Sequence, residues 1–278
     1  MLSIVSTPIG NLGDITLRAI ETFKKCSAII CEDTRVTGGL LHQLELPKKE
    51  LISMHGYSDP HKIDAVIERL KQGEHMVLVS DAGTPGISDP GYALVSRCRT
   101  EGVALEVIPG PSAFLAALSA SGLPINHFMY FGFLPLKKGR KRLIASFAET
   151  EHTIVFYESV HRIEKTLMEL AEALASQPDR PIVIGRELTK MHEEFVRGKL
   201  SELVAHFDTH IPKGEIVLLI DRADPNTTSP LSNASLPERV SELESSGLDR
   251  KSALKQAAKE FGLSKSEAYR QLQNAKNF

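Results

Sequence analysis

The chain has 278 residues, enough for two modest domains or one large domain with an appendage, and its 42% apolar and 24% charged residues are those of an ordinary globular protein with a real core. A formal net charge of −2 excludes a global field that draws in nucleic acid, so any such surface has to be local. Three cysteines, Cys26, Cys31 and Cys98, form an odd set without a CxxC pair, which argues against a disulfide framework or a zinc site and for reduced, buried thiols in a cytoplasmic setting.

The N-terminus "MLSIVSTPIG" reads as a first strand, with no basic-then-apolar export signal. An amphipathic stretch from Thr16 to Lys24 follows, then "SAIIC" and a helix after Thr34. "HMVLVS", a helix from Gly91 to about Thr100, and "ALEVI" continue the alternation, which implies βαβ units and a mostly parallel sheet. From Val107 to Leu136 there is no charged side chain, a length that suggests a membrane span. Pro109, Gly110, Pro111, Gly122, Pro124 and Gly132 break it into a turn, a short helix and a strand, so buried core and no membrane segment are expected.

After "HFMYFGFLP" the same grammar restarts: a helix through Arg142 to Ala148, "TIVFYE", a helix from Val160 to Ala175, "PIVIGRE", "EEFVRG", a helix from Leu200 to Phe207 and "EIVLLI". The short, hairpin-like strands predict a mixed sheet. The fold class is therefore α/β, with two α/β domains (1–124 and 125–222) flanking a cleft, a polar linker (223–235) and a helical tail (236–278). In the tail, Gly247 stops one helix, Asp249 caps a second, and Ser264 with Glu267 forms a capping box for a third. Three short helices with a Gly-containing turn outline a helix-turn-helix.

Function is sought in the loops. "LVSDAGTPGISDPG" (78–91) ends an apolar strand in three glycines, two prolines and two aspartates. Glycine lets a backbone approach a ligand closely and proline holds it there, outside the carboxyl end of a strand where open α/β sheets bind ligands. Taken alone it reads as a stiff turn. Three companions, "STPIGNLGD" (6–14), "CEDTR" (31–35) and "IPGPSAF" (108–114), also follow strands and belong on the same sheet edge. Neither a Walker A loop nor GxGxxG is present, so a ligand held by backbone and small side chains fits better than a dinucleotide.

"STPIGNLGD", "CEDTR", "SDAGTPGISDPG", "PGPSA", "FGFLP", "FYESVHR" and "GRELTKMHEE" together closely resemble the tetrapyrrole methylase-like superfamily, and more narrowly its ribosomal RNA 2'-O-methyltransferase branch, over residues 1 to about 222. The resemblance implies a dimeric enzyme that uses S-adenosyl-L-methionine, bound in the interdomain cleft, to methylate the ribose 2'-hydroxyl of a cytidine in 16S rRNA of the small ribosomal subunit. It also implies that Ala82, Gly83, Thr84 and Ile87 line the methionine side of the cofactor near Pro8. Ser112 and Ala113 follow its ribose and tail. Phe156, Tyr157, Leu188 and Gly214–Glu215–Ile216 close over the adenosine. The superfamily commonly has Gly-Asp-Pro where this chain has Gly83-Thr84-Pro85, which transfers any acidic contact to Asp81 or removes it.

Methyl transfer from a sulfonium asks mainly for alignment, a contribution that reaches ~7–11 kcal/mol, and a general base adds roughly 10²–10⁴-fold. The candidates are Glu32 and Asp33, Glu158 and His161, and Glu187 and Lys190, with Arg35, Arg162 and Arg186 available for phosphates; each Glu–Arg pair reads equally well as an ion pair bracing a loop. "KKGRKR" places Lys137, Lys138, Arg140, Lys141 and Arg142 beside the cleft, where RNA backbone contact is expected. The tail cations Arg250, Lys251, Lys255, Lys259, Lys265 and Arg270 suit a nucleic-acid or a protein surface alike. Histidines show no metal-ligand spacing, and no metal is expected. Two rival readings stay open: a tetrapyrrole C-methyltransferase, and a non-catalytic RNA-binding assembly factor.

Overall fold

A computed structural model describes residues 1–54, 60–88, 91–209, 214–224, 235–245, 247–261 and 263–274. The apolar runs Leu2–Val5 (β1), Ala28–Cys31 (β2) and Met76–Leu78 (β4) are almost wholly buried, as strands covered on both faces must be. They form the centre of an all-parallel sheet in the order β3-β2-β4-β1-β5, edged by Glu50–Ser53 (β3) and Leu105–Ile108 (β5), both less buried. Helices Leu17–Lys25 (α1), Thr34–Gln43 (α2), Pro60–Lys71 (α3) and Tyr92–Thr100 (α4) connect the strands. The β3 strand and α3 helix fall where the sequence reading names no element. A four-residue edge strand with one exposed and three half-buried positions offers little periodicity to read.

Because all five strands run the same way, the loops following β1, β2, β4 and β5 leave from one edge. Insertion of β4 between β1 and β2 makes two of them neighbours. Thr7 and Gly83 form a β-bridge, Thr7 N–H donating to Gly83 O at 2.9 Å and Gly83 N–H to Thr7 O at 3.0 Å.

The charge-free stretch resolves into the end of β5, helix Ala113–Ser121 (α5) and strand Phe128–Phe133 (β6). No helix among the described residues is long and apolar enough to cross a membrane. A second sheet has the order β6-β7-β10-β8-β9, with Thr153–Ser159 (β7), Ile182–Arg186 (β8), Glu194–Gly198 (β9) and Glu215–Ile220 (β10). β6 pairs with β7 in parallel and the rest pair antiparallel, which is the mixed sheet expected. Alternation along its strands makes two cores. Ile154, Phe156, Ile184 and Leu218 pack under Arg140–Ser146 (α6), Ile163–Ala173 (α7) and Leu200–Thr209 (α8). Val155, Val183, Val217 and Leu219 face the other way, onto Phe114, Ala117 and Leu118 of α5 and Ile9 of the β1 loop. The helix that follows the first sheet is thereby built into the core of the second, and the two halves share an apolar seam.

The tail folds as Leu236–Ser245 (α9), Arg250–Glu260 (α10) and Lys265–Asn274 (α11) around a core of its own residues, including Leu243, Leu254, Ala268 and Leu272. The capping box exists as read: Ser264 N–H donates to Glu267 Oε2 at 2.9 Å and Glu267 N–H to Ser264 Oγ at 3.3 Å. Ser235 and Glu238 make an equivalent box at α9 that the sequence reading overlooked. The three cysteines are buried, and burial raises each thiol's pKa, as suits unreactive reduced thiols. Lys259, Lys265 and Gly262 lie outside what can be described of the side chains and backbone.

Candidate active site

Between the two sheets lies a cavity of about 420 Å³. From the first half, Asp81, Ala82, Gly83, Thr84, Ile87, Ser112 and Ala113 line it, and from the second, Tyr157, Leu188, Gly214, Glu215 and Ile216. All were nominated from the sequence. Two nominations are corrected by one position each. Ile9 lines the cavity rather than Pro8. Tyr157 does so rather than Phe156, because β7 alternates and sends Phe156, fully buried, into the core on the opposite face. Ser88, Phe133, Ser159 and Val217 also line it, and the sequence reading named none of them.

The first wall is tied together by loop-to-loop bonds. The Thr84 hydroxyl lies 2.9 Å from Ser6 Oγ and donates to Pro111 O at 3.1 Å, joining the loops after β4, β1 and β5. Thr84, the departure from Gly-Asp-Pro, is therefore a clamp. Gly110 is needed for close approach, since a Cβ there would lie 2.9 Å from Ser6 Cβ. Asp81 accepts the Asp33 N–H at 3.0 Å, which brings the "CEDTR" loop to the same edge. Asp89 and Pro90 lie outside the described residues.

The second wall is built from an ion-pair cluster. Lys190 Nζ contacts Glu187 Oε1 at 2.9 Å and Glu215 Oε2 at 3.2 Å, and Glu187 Oε1 also accepts the Glu215 N–H at 3.0 Å. Glu187 and Thr189 have φ of +50° and +66°, left-handed conformations that cost a non-glycine residue ~1–3 kcal/mol each. The turn holds them through Glu187 N–H to Glu215 O at 3.0 Å and Thr189 N–H to Glu193 Oε2 at 2.7 Å. The result is to press Leu188 into the cavity. Gly10 of the first half passes so close that a Cβ there would lie 2.3 Å from Lys190 Cγ, so this turn also seals the junction.

These contacts decide what the nominated acids and bases can do. The Arg35 guanidinium and its N–H hold Asp33 down at a pKa of about 2, far too low for a useful base. The Lys190 ammonium keeps the Glu187 carboxyl below its usual range. Burial works against Lys190's charge, but its bonds to Glu187 and Glu215 outweigh that and raise its pKa, so it stays an ammonium. Glu158 is completely enclosed: it accepts from Thr166 Oγ1 at 2.7 Å and Arg162 Nη2 at 3.1 Å, and pairs with Arg140 Nη2 at 3.5 Å. Arg162 Nη2 in turn donates to Leu134 O at 3.1 Å. Glu158 lines the cavity beside Ser159, and with its carboxylate held by these partners it and Arg162 brace the strand ends of β6 and β7. Glu32 is half-buried beside Asp33, and its main-chain carbonyl accepts from Ser53 Oγ at 3.3 Å.

The basic run divides as well. Lys137, Lys138, Lys141 and Arg142 are exposed. Arg140 is 5% exposed, donating to Glu169 Oε2 at 2.7 Å and Thr166 Oγ1 at 2.7 Å, so phosphate contact by Arg140 is corrected too. At the first position of α6 it points inward while its neighbours turn out.

A parallel sheet whose strand-end loops face a mixed sheet across a ligand-sized cleft is a two-part α/β architecture with room for one small molecule, and the family match makes it a methyltransferase. Residues 1–204 match the family model described as Tetrapyrrole (Corrin/Porphyrin) Methylases, and the chain belongs to that family. Its close relatives carry a more particular name. "Ribosomal RNA small subunit methyltransferase I" of Thermotoga maritima is 44% identical over 219 residues, 79% of this chain and 97% of the relative. The protein of that name from Synechocystis sp. is 41% identical over 270 residues, 97% of this chain and 96% of the relative. Among solved structures, the methyltransferase CobJ superposes with a TM-score of 0.60 at 20% identity, covering 80% of this chain and 94% of that one. The uroporphyrin-III C-methyl transferase from Thermus thermophilus complexed with S-adenyl homocysteine does so with a TM-score of 0.55 at 23% identity, covering 78% and 96%. These two share the fold.

Proposed function

We propose that this chain transfers the methyl group of S-adenosyl-L-methionine to the ribose 2'-hydroxyl of a cytidine in 16S rRNA, acting on the small ribosomal subunit as a cytoplasmic homodimer. The observation that carries this reading is the convergence of three strand-end loops on one cavity, with a fourth bonded to them through Asp81, opposite Tyr157, Leu188 and Ile216, and with four exposed cations following Phe133 in the chain.

The residues present suit the cofactor. About 420 Å³ lies within the ~300–1,000 Å³ of small-molecule sites. Leu188, Ile216, Val217 and Ile9 offer apolar surface to a purine, and the Ala82–Gly83–Thr84 turn offers main-chain groups where Cβ atoms are few. Asp81 and Glu215 bring carboxylates to a ligand with a positively charged sulfur and ammonium. When bound, the cofactor supplies an activated methyl with a neutral thioether as leaving group. The chain's own residues bind and align. Thr84 and the Thr7–Gly83 bridge fix the first wall, Lys190 fixes the second, and Tyr157 and Leu188 exclude water. Alignment of this kind is worth up to ~7–11 kcal/mol. Asp33 and Glu187, held in their charged forms by their partners, set geometry rather than take the hydroxyl proton.

Lys137, Lys138, Lys141 and Arg142 neutralise phosphates of the acceptor, each adding roughly 0.7–0.9 to the slope of log affinity against log salt. Exposed apolar side chains on the edge strands, α5 and the loop after it (Val107, Leu115, Ile125, Phe128 and Met129) support self-association.

The test is tritium transfer from labelled cofactor into 30S subunits, followed by nuclease digestion. Label in 2'-O-methylcytidine is expected; label on a base, or in uroporphyrinogen instead, refutes the reading. Replacing the four exposed cations with glutamine is expected to weaken subunit binding and flatten its salt dependence, with S-adenosylhomocysteine affinity unchanged by calorimetry. Parallel loss of both affinities would remove the cations from the RNA interface.

A further inference from the structure

We infer that Phe133 is the platform on which the target nucleobase stacks, an assignment that rests on the RNA-methylating reading above. Phe133 is the last residue of β6. The pairing of β6 with β7 slips in register between Tyr130 and Phe133, and Gly132 there has φ +59°, a conformation open to glycine at little cost. Bulges of this kind next to a site re-aim a side chain. Here the outcome is a phenylalanine that lines the cavity while remaining 60% exposed. An aromatic ring left out in water at a cavity mouth forgoes the gain of burying it, and wants a partner.

Among the described residues, the ring is supported by other aromatics. Its centroid is 5.3 Å from that of Tyr157, which lies 5.7 Å from Tyr130, itself stacked at 4.4 Å on Phe114. This chain of aromatics runs from the seam between the halves out to Phe133. The backbone just beyond the ring is clamped: Leu134 O accepts from Arg162 and Pro135 O from Arg140, at 3.1 and 3.3 Å. Buried Arg140 and half-buried Arg162 thus hold the platform rigid. Four residues on, a span of at most ~14 Å, begin the exposed Lys137 and Lys138.

The ligand that satisfies a flat apolar face next to exposed cations is a nucleobase with its flanking phosphates. Enzymes that act on one nucleotide draw it out of its stack, and an aromatic side chain replaces the lost neighbour. The deeper Leu188 and Val217, 6% and 3% exposed, would offer the apolar surface for the cofactor's adenine. Phe133 lies at the rim, where the base of an acceptor stays once its ribose has entered. Stacking does not read a base's edges, so Phe133 positions the acceptor while sequence is selected elsewhere.

The test compares F133A, F133L, F133Y and F133W in methyl transfer to 30S subunits. In F133A and F133L the KM for subunits is expected to rise about 5- to 150-fold, the range of one lost base–aromatic stack. F133Y and F133W should stay within about threefold of the parent, and S-adenosylhomocysteine affinity should be unchanged in all four. A parent-like KM in F133A overturns the assignment, as does F133L behaving like F133Y. A parallel fall in S-adenosylhomocysteine affinity instead moves Phe133 to the cofactor wall. If the parent protein labels no RNA, the underlying reading falls and this one with it; an active parent with indifferent Phe133 variants removes the stacking role alone.

Discussion

The two walls of the cleft solve one problem by opposite means. The first is made of backbone: glycines at Gly83, Gly86 and Gly110, a β-bridge, and one hydroxyl that joins three loops. The second is made of charged side chains, with Lys190 between two glutamates and Arg140 and Arg162 around Glu158. The first wall's rigidity comes from conformations its residue types prefer. The second forces Glu187 and Thr189 into conformations they do not prefer and holds them by hydrogen bonds. The second wall should therefore be the more easily broken by single substitutions, and the one sensitive to pH.

Arg140→Ala tests this most severely. Removing one partner of a buried ion pair costs ~3–5 kcal/mol, since the remaining charge stays desolvated. Glu158, with a side chain 0% exposed, retains Arg162, Thr166 and the Ser159 N–H but loses one of its two cations, and Glu169 loses its bond to Arg140. Denaturant unfolding is expected to show a loss of that order, against less than ~0.5 kcal/mol for Arg142→Ala on the exposed face. Equal effects would show that the cationic run is one surface after all.

Next in size is the pair Gly214→Ala and Gly83→Ala, one from each wall. Both glycines have positive φ, +92° and +80°, so each alanine carries about 1–2 kcal/mol of backbone cost. At Gly83 the added carbon meets nothing nearer than Ile9 Cγ2 at 3.4 Å. At Gly214 it would lie 2.0 Å from Glu187 Oε1, so the carboxylate has to leave Lys190. Gly214→Ala is expected to lose about 2–4 kcal/mol in all, roughly twice the Gly83 value. Thermal midpoints measure it, and equal midpoints would place the two walls on the same footing.

The same contrast explains what the sequence made legible. The strand-end loops were readable because glycine and proline name a backbone conformation directly, and because parallel strands bring their carboxyl ends together. The errors at Pro8 and Phe156 are slips of one residue. Phe156 and Tyr157 are both aromatic, and with both faces of β7 buried no apolar–polar alternation says which one faces the cleft. Arg140 was misplaced because a run of cations looks uniform until a helix turns one of them inward. "FGFLP" and "GRELTKMHEE" marked both stretches, but the placement of Phe133 and the shape of the Glu187–Thr189 turn gave no signal: one depends on a register slip against a distant strand, the other on left-handed residues that are not glycine.

Lys190→Met isolates the electrostatic part of the second wall at the smallest expected cost. Methionine keeps most of the stem that packs against Gly10, and removes only the ammonium. With Lys190 30% and Glu187 18% exposed, the pair is partly screened, and a loss of about 1 kcal/mol is expected at pH 7. The sign of the pH dependence follows from the two shifts. Glu187 titrates below its ordinary value of 4.5 when folded, so its contribution is full above that pH and is lost as pH falls through the lowered folded value. Lys190 titrates above its ordinary 10.5, so its share is full below that and is lost as pH rises past it. The gap in thermal midpoint between parent and Lys190→Met should thus be flat from about pH 5 to 10 and close on the acid side. A gap that persists undiminished to pH 3 would mean that the lysine acts by packing alone, and that charge is not what holds the second wall.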